Sequence, residues 1–362
     1  MISTRALRAL FAAGLAVLLF SAASDSPARS AGAPPDPGEG KAGNSLEGRW
    51  FLDFDRDDGL VQLSMERHSG SHHSQSSSGF RLEELRDLRR PAGRDEVPAR
   101  FSLVRDAGTF TFEGHLDSKG GAGRFRFAAN PDFERSWSSS GRGSLSSEQV
   151  YAMAMHDVSR AFLQDLRGLG YQDLSADKLI AMRIHGVSVE FVRDLQTLGY
   201  RRLPADQLVA FRIHGVSPAM IRELSSQGYE RLPADQLVSM RIHGATPEYV
   251  RELRALGYER ISPDQLVSLR IHGATPEYVR ELRTLGYEGI SPDQLVSMKI
   301  HGVDPGFVRN LSELGFRRVP VDDLVSMRIH NVTIDFVRRV QARDRNVSVH
   351  ELVSRRIHGR RD

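Results

Sequence analysis

The chain contains no cysteine. It can therefore form no disulfide, and it offers no cysteine for lipid attachment at a leader cleavage site. It also lacks the run of about 20 apolar residues that a membrane-spanning helix requires. The apolar run at residues 9–20 is too short for this. Packing of side chains must therefore supply the stability of the folded chain.

The N-terminal segment has the pattern of a secretory signal. Arg5 and Arg8 precede the apolar run, and the small residues Ser21, Ala22 and Ala23 follow it. We expect residues 1–23 to be a signal peptide, residues 24–45 to be a flexible linker, and the protein to be periplasmic or secreted, without stable membrane insertion after cleavage. An uncleaved anchor is the alternative.

The overall charge suggests a nucleic-acid partner until it is counted by segment. The formal net charge is +3 and the isoelectric point is about 9.3. Residues 205–291, however, carry ten arginines against eleven acids, a net charge of −1. Positive and negative side chains that alternate at helical spacing are typical of a solvated helix face. We therefore expect no nucleic-acid partner.

Residues 46–135 show the alternation of apolar and polar residues that is typical of strands. Trp50, Leu52 and Phe54 point to one face, and the pair Phe110 and Phe112 repeats the pattern. We predict a small antiparallel β domain of five or six strands, with a short helix over residues 81–88 lying on it. The glycines of residues 120–123 join two of these strands, which favours a hairpin over a phosphate-binding loop.

Two clusters in this domain raise the question of chemistry. Residues 69–79 are rich in serine, and three nearby histidines could hold a metal, although the composition favours a mobile loop without fixed geometry. These are His68, His72 and His73. Four acids lie close together in a turn without a paired His or Ser signature, so a hydrolase is a weak hypothesis. These are Asp53, Asp55, Asp57 and Asp58. We predict no metal, no cofactor and no catalytic residue.

From Ser146 to the end, after a linker at residues 136–145, the sequence repeats at a constant interval. Seven histidines keep this interval, and an eighth follows one position early. They are His156, His185, His214, His243, His272, His301, His330 and His358. A period of this size, about 29 residues, indicates stacked units that cannot bury their apolar faces alone. We predict an α-solenoid of about seven helix-turn-helix repeats plus a terminal helix, residues 146–362, in an α+β multidomain chain.

One unit, residues 263–291, shows how a repeat is built. Ser262 and Thr275 are suited to begin its two helices as N-caps. Gly273 and Gly286 are suited to end them in the left-handed conformation. The first helix has an apolar side, which we expect to be buried. It consists of Leu266, Val267, Leu269 and Ile271.

The repeated cations and histidines each allow two interpretations. A histidine at a helix C-terminus can bond the last carbonyls, which we favour, or the row can form a pH-sensitive ladder. The repeated arginines can pair with acids between repeats, which we also favour. They can instead bind an acidic protein or a polyanion. For that second case the candidate partner-binding residues are Arg241, Arg251, Arg270 and Arg280.

The segment from Arg270 to Leu282, RIHGATPEYVREL, resembles a repeat found in extracytoplasmic extensions of BlaR1-like membrane metallopeptidases of bacteria and in uncharacterised secreted proteins. The resemblance covers residues 146–359 and does not reach the peptidase, because His350 and Glu351 are followed by Leu-Val-Ser in place of x-x-His. It implies a bacterial extracytoplasmic binding or sensing module.

From these features we expect a non-enzymatic, exported scaffold whose helical repeats bind a protein or peptide. The alternative is an extracytoplasmic sensor or regulator of an envelope protease or signalling system.

Overall fold

The structure is a computed structural model and describes residues 46–54, 59–69 and 72–359. An antiparallel sheet comes first and a long series of paired helices follows, which confirms the predicted fold class. The predicted signal peptide and flexible linker lie outside the described residues. No helix among the described residues is long and apolar enough to cross a membrane.

The sheet has seven strands, one or two more than predicted. Their order is β3-β2-β1-β7-β6-β5-β4, and every neighbouring pair is antiparallel. The strands are β1 Leu46–Asp53, β2 Val61–Ser69, β3 His72–Phe80, β4 Leu85–Arg86, β5 Val97–Arg105, β6 Gly108–Leu116 and β7 Gly120–Ala129. The predicted hairpin is confirmed, since β6 and β7 pair directly, but residues 120–123 form the start of β7 and the turn lies just before them.

Two predictions within the sheet domain were wrong. The serine-rich segment that was expected to be a mobile loop contains β3, which pairs along its length with β2 at the edge of the sheet. An edge strand bonds to one neighbour only, so it forms without the apolar alternation of a central strand. Residues 81–88 contain only a short 3-10 turn, Leu82–Glu84, followed by β4.

An aromatic cluster forms the centre of the sheet domain. Trp50 is fully buried, and its ring lies edge-on to Phe101, with 5.1 Å between ring centroids. A Cβ atom at Gly114 or Gly123 would lie 2.8 Å or 2.7 Å from the Trp50 ring. The two glycines face each other across β6 and β7. The sequence therefore keeps both positions free of side chains so that the indole fits against the sheet.

The segment between the sheet and the repeats is structured. It contains an α-helix, Pro131–Trp137, and a π-helical turn, Ser138–Arg142. Phe133 and Trp137 are both buried. The range 136–145, which the sequence analysis assigned to a linker, therefore includes the end of a helix whose aromatic residues join the core.

The rest of the described chain consists of seven pairs of helices and a final single helix. We call the first helix of each pair helix A and the second helix B. Helices A are Ser147–Met155, Ala176–Ile184, Ala205–His214, Ala234–Ile242, Pro263–Ile271, Pro292–Ile300 and Val321–Ile329. Helices B are Arg160–Gly168, Val189–Thr197, Pro218–Ser226, Pro247–Ala255, Pro276–Thr284, Pro305–Glu313 and Ile334–Arg343, and the final helix is Val349–Ile357.

The helix ends match the predicted caps. The Ser262 hydroxyl accepts the N–H of Gln265, whose side chain in turn accepts the N–H of Ser262. At the other end Gly273 has φ +72°, and the N–H of Ala274 donates to the carbonyl of Leu269 at 2.8 Å. This 6→1 bond is the Schellman ending that the sequence predicted.

Neighbouring repeats stack so that equivalent helices lie side by side. Helices A of successive repeats pack against one another, helices B do the same, and the helix A layer is the more closely packed. Hydroxyl groups of tyrosines reach across the five junctions from the first to the sixth repeat. Tyr278 donates to the carbonyl of Val303 in the next repeat at 2.7 Å, and Tyr258 donates to that of Ile290 at 2.8 Å.

The sheet covers the beginning of the stack. Tyr151 of the first helix A lies edge-on to Phe110, with 5.2 Å between centroids, and the Arg67 guanidinium lies 4.1 Å from the Tyr151 ring centroid. Arg67 also forms an ion pair with Glu148. Ala154, which stands where later repeats carry a cation, is fully buried. The first repeat is therefore atypical, as a capping unit must be, because it packs against a sheet and not against another repeat.

Candidate interaction surface of the helical repeats

The most unusual feature of the repeats is a row of exposed isoleucines. One isoleucine at or next to the last residue of each helix A, from the second repeat onward, is 50% to 55% exposed, and so is the one that ends the final helix. We call these seven residues the isoleucine row. They are Ile184, Ile213, Ile242, Ile271, Ile300, Ile329 and Ile357.

This row corrects the prediction that Ile271 belongs to the buried side of helix A. Leu266 and Leu269 of the same helix are fully buried. At about 100° per residue, Ile271 points roughly 140° away from Leu266. The sequence therefore contained a signal that Ile271 lies on a different side of the helix from the two core leucines, namely the helical angle of the Ile that precedes each C-terminal histidine.

The outer face of helix A carries no charge in the turn before the isoleucine, and its acid, Asp264 in the fifth repeat, lies about two turns away at the start of the helix. In the fifth repeat, Val267 and Ser268 lie one turn before Ile271 and are half-buried. From the second repeat onward, the others place Val or Ile and then Ser or Ala at these two positions. Large exposed apolar surfaces that recur in register are typical of interaction sites. The isoleucine row together with these half-buried residues forms a neutral strip along the helix A layer, which we call the helix A face.

A second row, of cations, borders the helix A face. The Arg or Lys that precedes an isoleucine of the row extends to the preceding repeat, and in six of the seven cases it lies over an aromatic ring of helix B. For Arg270 the distance from Cζ to the Tyr249 ring centroid is 4.9 Å. The same stacking occurs for Arg183 on Phe162, Arg212 on Phe191, Lys299 on Tyr278, Arg328 on Phe307 and Arg356 on Phe336. These cations join adjacent repeats.

The histidines lie beside the isoleucines at the helix A C-terminus. His272 is the C-cap of its helix and is exposed. Among the described residues, no imidazole of this row makes a hydrogen bond. The backbone carbonyl of His243 instead accepts from Nε of Arg270 at 3.4 Å, and that of His156 accepts from Arg183 at 3.0 Å. Arginine side chains from the next repeat thus occupy the position that the sequence analysis gave to the imidazoles.

The four candidate partner-binding arginines fall into two groups. Arg241 and Arg270 belong to helix A, and the Arg241 position faces Met220 where other repeats have a ring. Arg251 and Arg280 belong to helix B and form exposed ion pairs. Those of Arg280 measure 3.0 Å to Glu252 of the preceding repeat and 2.7 Å to Glu277 of its own.

The buried tyrosines near these cations serve the structure. The hydroxyl of Tyr249 donates to the carbonyl of Ala274 at 2.8 Å, and burial raises its pKa to about 12. Burial likewise raises the pKa of Tyr278 above its usual range. Both hydroxyl groups therefore remain protonated hydrogen-bond donors throughout the physiological pH range.

The remaining candidate sites of the sheet domain gain no support. The described residues include no group of three or more His, Asp or Glu side chains that could hold a metal ion. The side chains of His68, His72 and His73 lie outside what the structure describes, as do Asp55, Asp57 and Asp58 entirely. The metal and hydrolase hypotheses for these clusters stay untested.

Comparison of the chain with protein-family models, with curated proteins and with solved structures finds no match. The resemblance to the repeats of BlaR1-like metallopeptidases therefore stays a prediction, and so does the sensor or regulator role that it suggests.

Proposed function

We propose that this protein is a non-enzymatic, exported scaffold whose helical repeats bind a protein or peptide partner through the helix A face. The observation that supports this proposal is the isoleucine row. Seven large aliphatic side chains, each about half exposed, recur in register although the packing of the repeats does not require their outer halves. Exposed aliphatic surface is unfavourable in water, so a binding role accounts for its repetition.

The helix B face offers a contrast within the same repeats. Its outer residues are charged and form ion pairs between successive repeats, such as Arg280 with Glu252. These charges are already paired with each other, and exposed ion pairs of this kind contribute little free energy. We therefore assign the partner to the helix A face and the charged helix B face to solvent.

The test is affinity capture from a periplasmic extract with the full chain and two matched triple variants. One variant replaces Ile242, Ile271 and Ile300, each the last residue of its helix A, with Gln. The control replaces Ala255, Thr284 and Glu313, each the exposed last residue of helix B in the same repeats, with Gln. We expect bound proteins to be lost from the isoleucine variant and retained by the control. Identical capture by the two variants would contradict the proposal.

A further inference from the structure

We propose that the helix A face binds an extended, acidic peptide segment that carries an aliphatic side chain at every third position. This inference rests on the proposed function, that the repeats bind a protein or peptide, and names the chemistry of the segment. Three features of the structure carry it: the spacing of the isoleucine row, the neutral surface around it and the charge along its border.

The spacing of the row selects the conformation of the partner. Packed helices lie about 8 to 10 Å apart, so successive isoleucines recur at about that interval. A β-strand rises about 3.3 Å per residue, so its side chains recur on one face every ~6.6 Å, which is too short. A polyproline II segment rises about 3.1 Å per residue and returns to the same face every three residues, about 9.3 Å. An extended segment of this kind matches the row without changing register.

The surface between the isoleucines provides the contact area. Val267 and Ser268 are half-buried beside Ile271, and neither is charged; the first-turn acid of the helix, Asp264, lies about two turns away. Val267 and Ser268 have short side chains that project little from the helix surface. An aliphatic side chain of the partner can therefore lie against two neighbouring isoleucines. Contact of this kind removes from water the half of each isoleucine that the fold leaves exposed.

The border of the row selects the charge of the partner. Arg270 contacts the preceding repeat through its Nε, which donates to the carbonyl of His243, and through one face of its guanidinium, which lies over the Tyr249 ring. It forms no ion pair with any acid among the described residues. Glu277, the first-turn acid of helix B in the same repeat, is paired with Arg280. At the other end of helix A, Asp264 accepts from Gln236 at 3.0 Å and lies about 10 Å from Ile271 along the helix axis. At the C-terminal ends of helices A, where the isoleucines lie, the side chains bordering the row are therefore cationic, which favours Asp or Glu in the bound segment.

The experiment uses synthetic peptides as probes and fluorescence anisotropy with the full chain. The first peptide has six Leu-Pro-Glu units, the second six Leu-Pro-Lys units, and the third has the composition of the first with its leucines placed in adjacent pairs. We expect the first to bind at least about tenfold more tightly than either of the others, with an affinity that falls as salt is added. Equal affinities for the three peptides, or no binding of the first, would overturn the inference.

The variants locate the binding site. Replacing Ile242, Ile271 and Ile300 with Gln should weaken binding of the first peptide by about tenfold or more, whereas the helix B control at Ala255, Thr284 and Glu313 should bind as the unmodified protein does. Gln has a higher helix propensity than Ile, so both variants should remain folded, which circular dichroism checks. Equal weakening by the two variants would place the peptide elsewhere.

The outcomes separate this inference from the proposed function. If the isoleucine variant loses its captured proteins but the first peptide does not bind, the helix A face is a binding surface and the extended acidic segment is wrong. If neither proteins nor peptides depend on the row, both proposals fail. If sedimentation shows a dimer that the Ile→Gln changes dissociate, a second copy covers the row and the peptide inference is overturned.

Discussion

The arginines of helix A and helix B should differ in what they contribute to stability, and this difference can be measured. Arg270 stacks on Tyr249, donates Nε to the carbonyl of His243, and lies against Gly244, where a Cβ atom would be only 2.9 Å from its Nη2. All three contacts are in the preceding repeat. Arg280 instead makes exposed ion pairs that solvent and salt screen.

The magnitude for Arg270 follows from its contacts. A cation over a ring at an exposed site contributes about 0.5 to 1 kcal/mol. A hydrogen bond contributes about 0.5 to 1.5 kcal/mol, and the length of 3.4 Å places this one at the low end. Arg270→Ala should therefore destabilise the repeats by about 1 to 1.5 kcal/mol and lower the melting temperature by about 2 to 4 °C per kcal/mol. Arg280→Ala should have a smaller effect that disappears at high salt.

The assay is urea unfolding of the full chain, followed by circular dichroism at low and at high salt. Arg241→Ala is an internal control, because Met220 stands where the stacking ring would be, so this change should cost less than Arg270→Ala. A larger loss from Arg280→Ala than from Arg270→Ala, or an Arg270 effect that salt abolishes, would refute the assignment of the helix A cations as links between repeats.

Three further predictions concern caps, hydrogen bonds and pH. Gly273→Val should cost about 1 to 2 kcal/mol because its φ of +72° resists a β-branched residue, whereas Asn331→Gly, at φ +53°, should be neutral or stabilising; equal tolerance in thermal melts would contradict the left-handed assignment. Tyr278→Phe should cost about 1 to 2 kcal/mol in urea unfolding because it leaves the buried carbonyl of Val303 without its donor, and an unchanged midpoint would count against that bond. Burial, with a smaller effect of nearby Arg183, lowers the pKa of His156. The unfolded chain then binds a proton at a higher pH than the folded one, so stability should fall as pH drops through the ordinary histidine range toward the lowered value. Stability curves of the unmodified chain and of His156→Gln should show a weaker fall for the variant, and parallel curves would exclude this linkage.

The sequence by itself determined the local structure of the repeats. The constant period, the capping residues Ser262 and Thr275, and the glycines at helix ends were sufficient to locate the helices and their turns. These features are local, since a cap bonds to a backbone group three residues away and a left-handed residue is selected by its own φ. Helix boundaries that depend on such short-range interactions can therefore be predicted from a single sequence.

Only the tertiary structure decided which surfaces are free. Helix A has apolar residues on two opposite sides, and the helical angle separates Ile271 from Leu269, but the sequence of the helix could not show which of the two sides faces the core. The position of the Arg270 side chain depends on a ring contributed by another repeat, and β3, with its serines, is a strand because β2 pairs with it. Burial of Leu269, stacking of Arg270 and pairing of β3 each depend on a contact with residues distant in sequence. For the repeats, the stacking of successive units determines these contacts and leaves Ile271 at the surface.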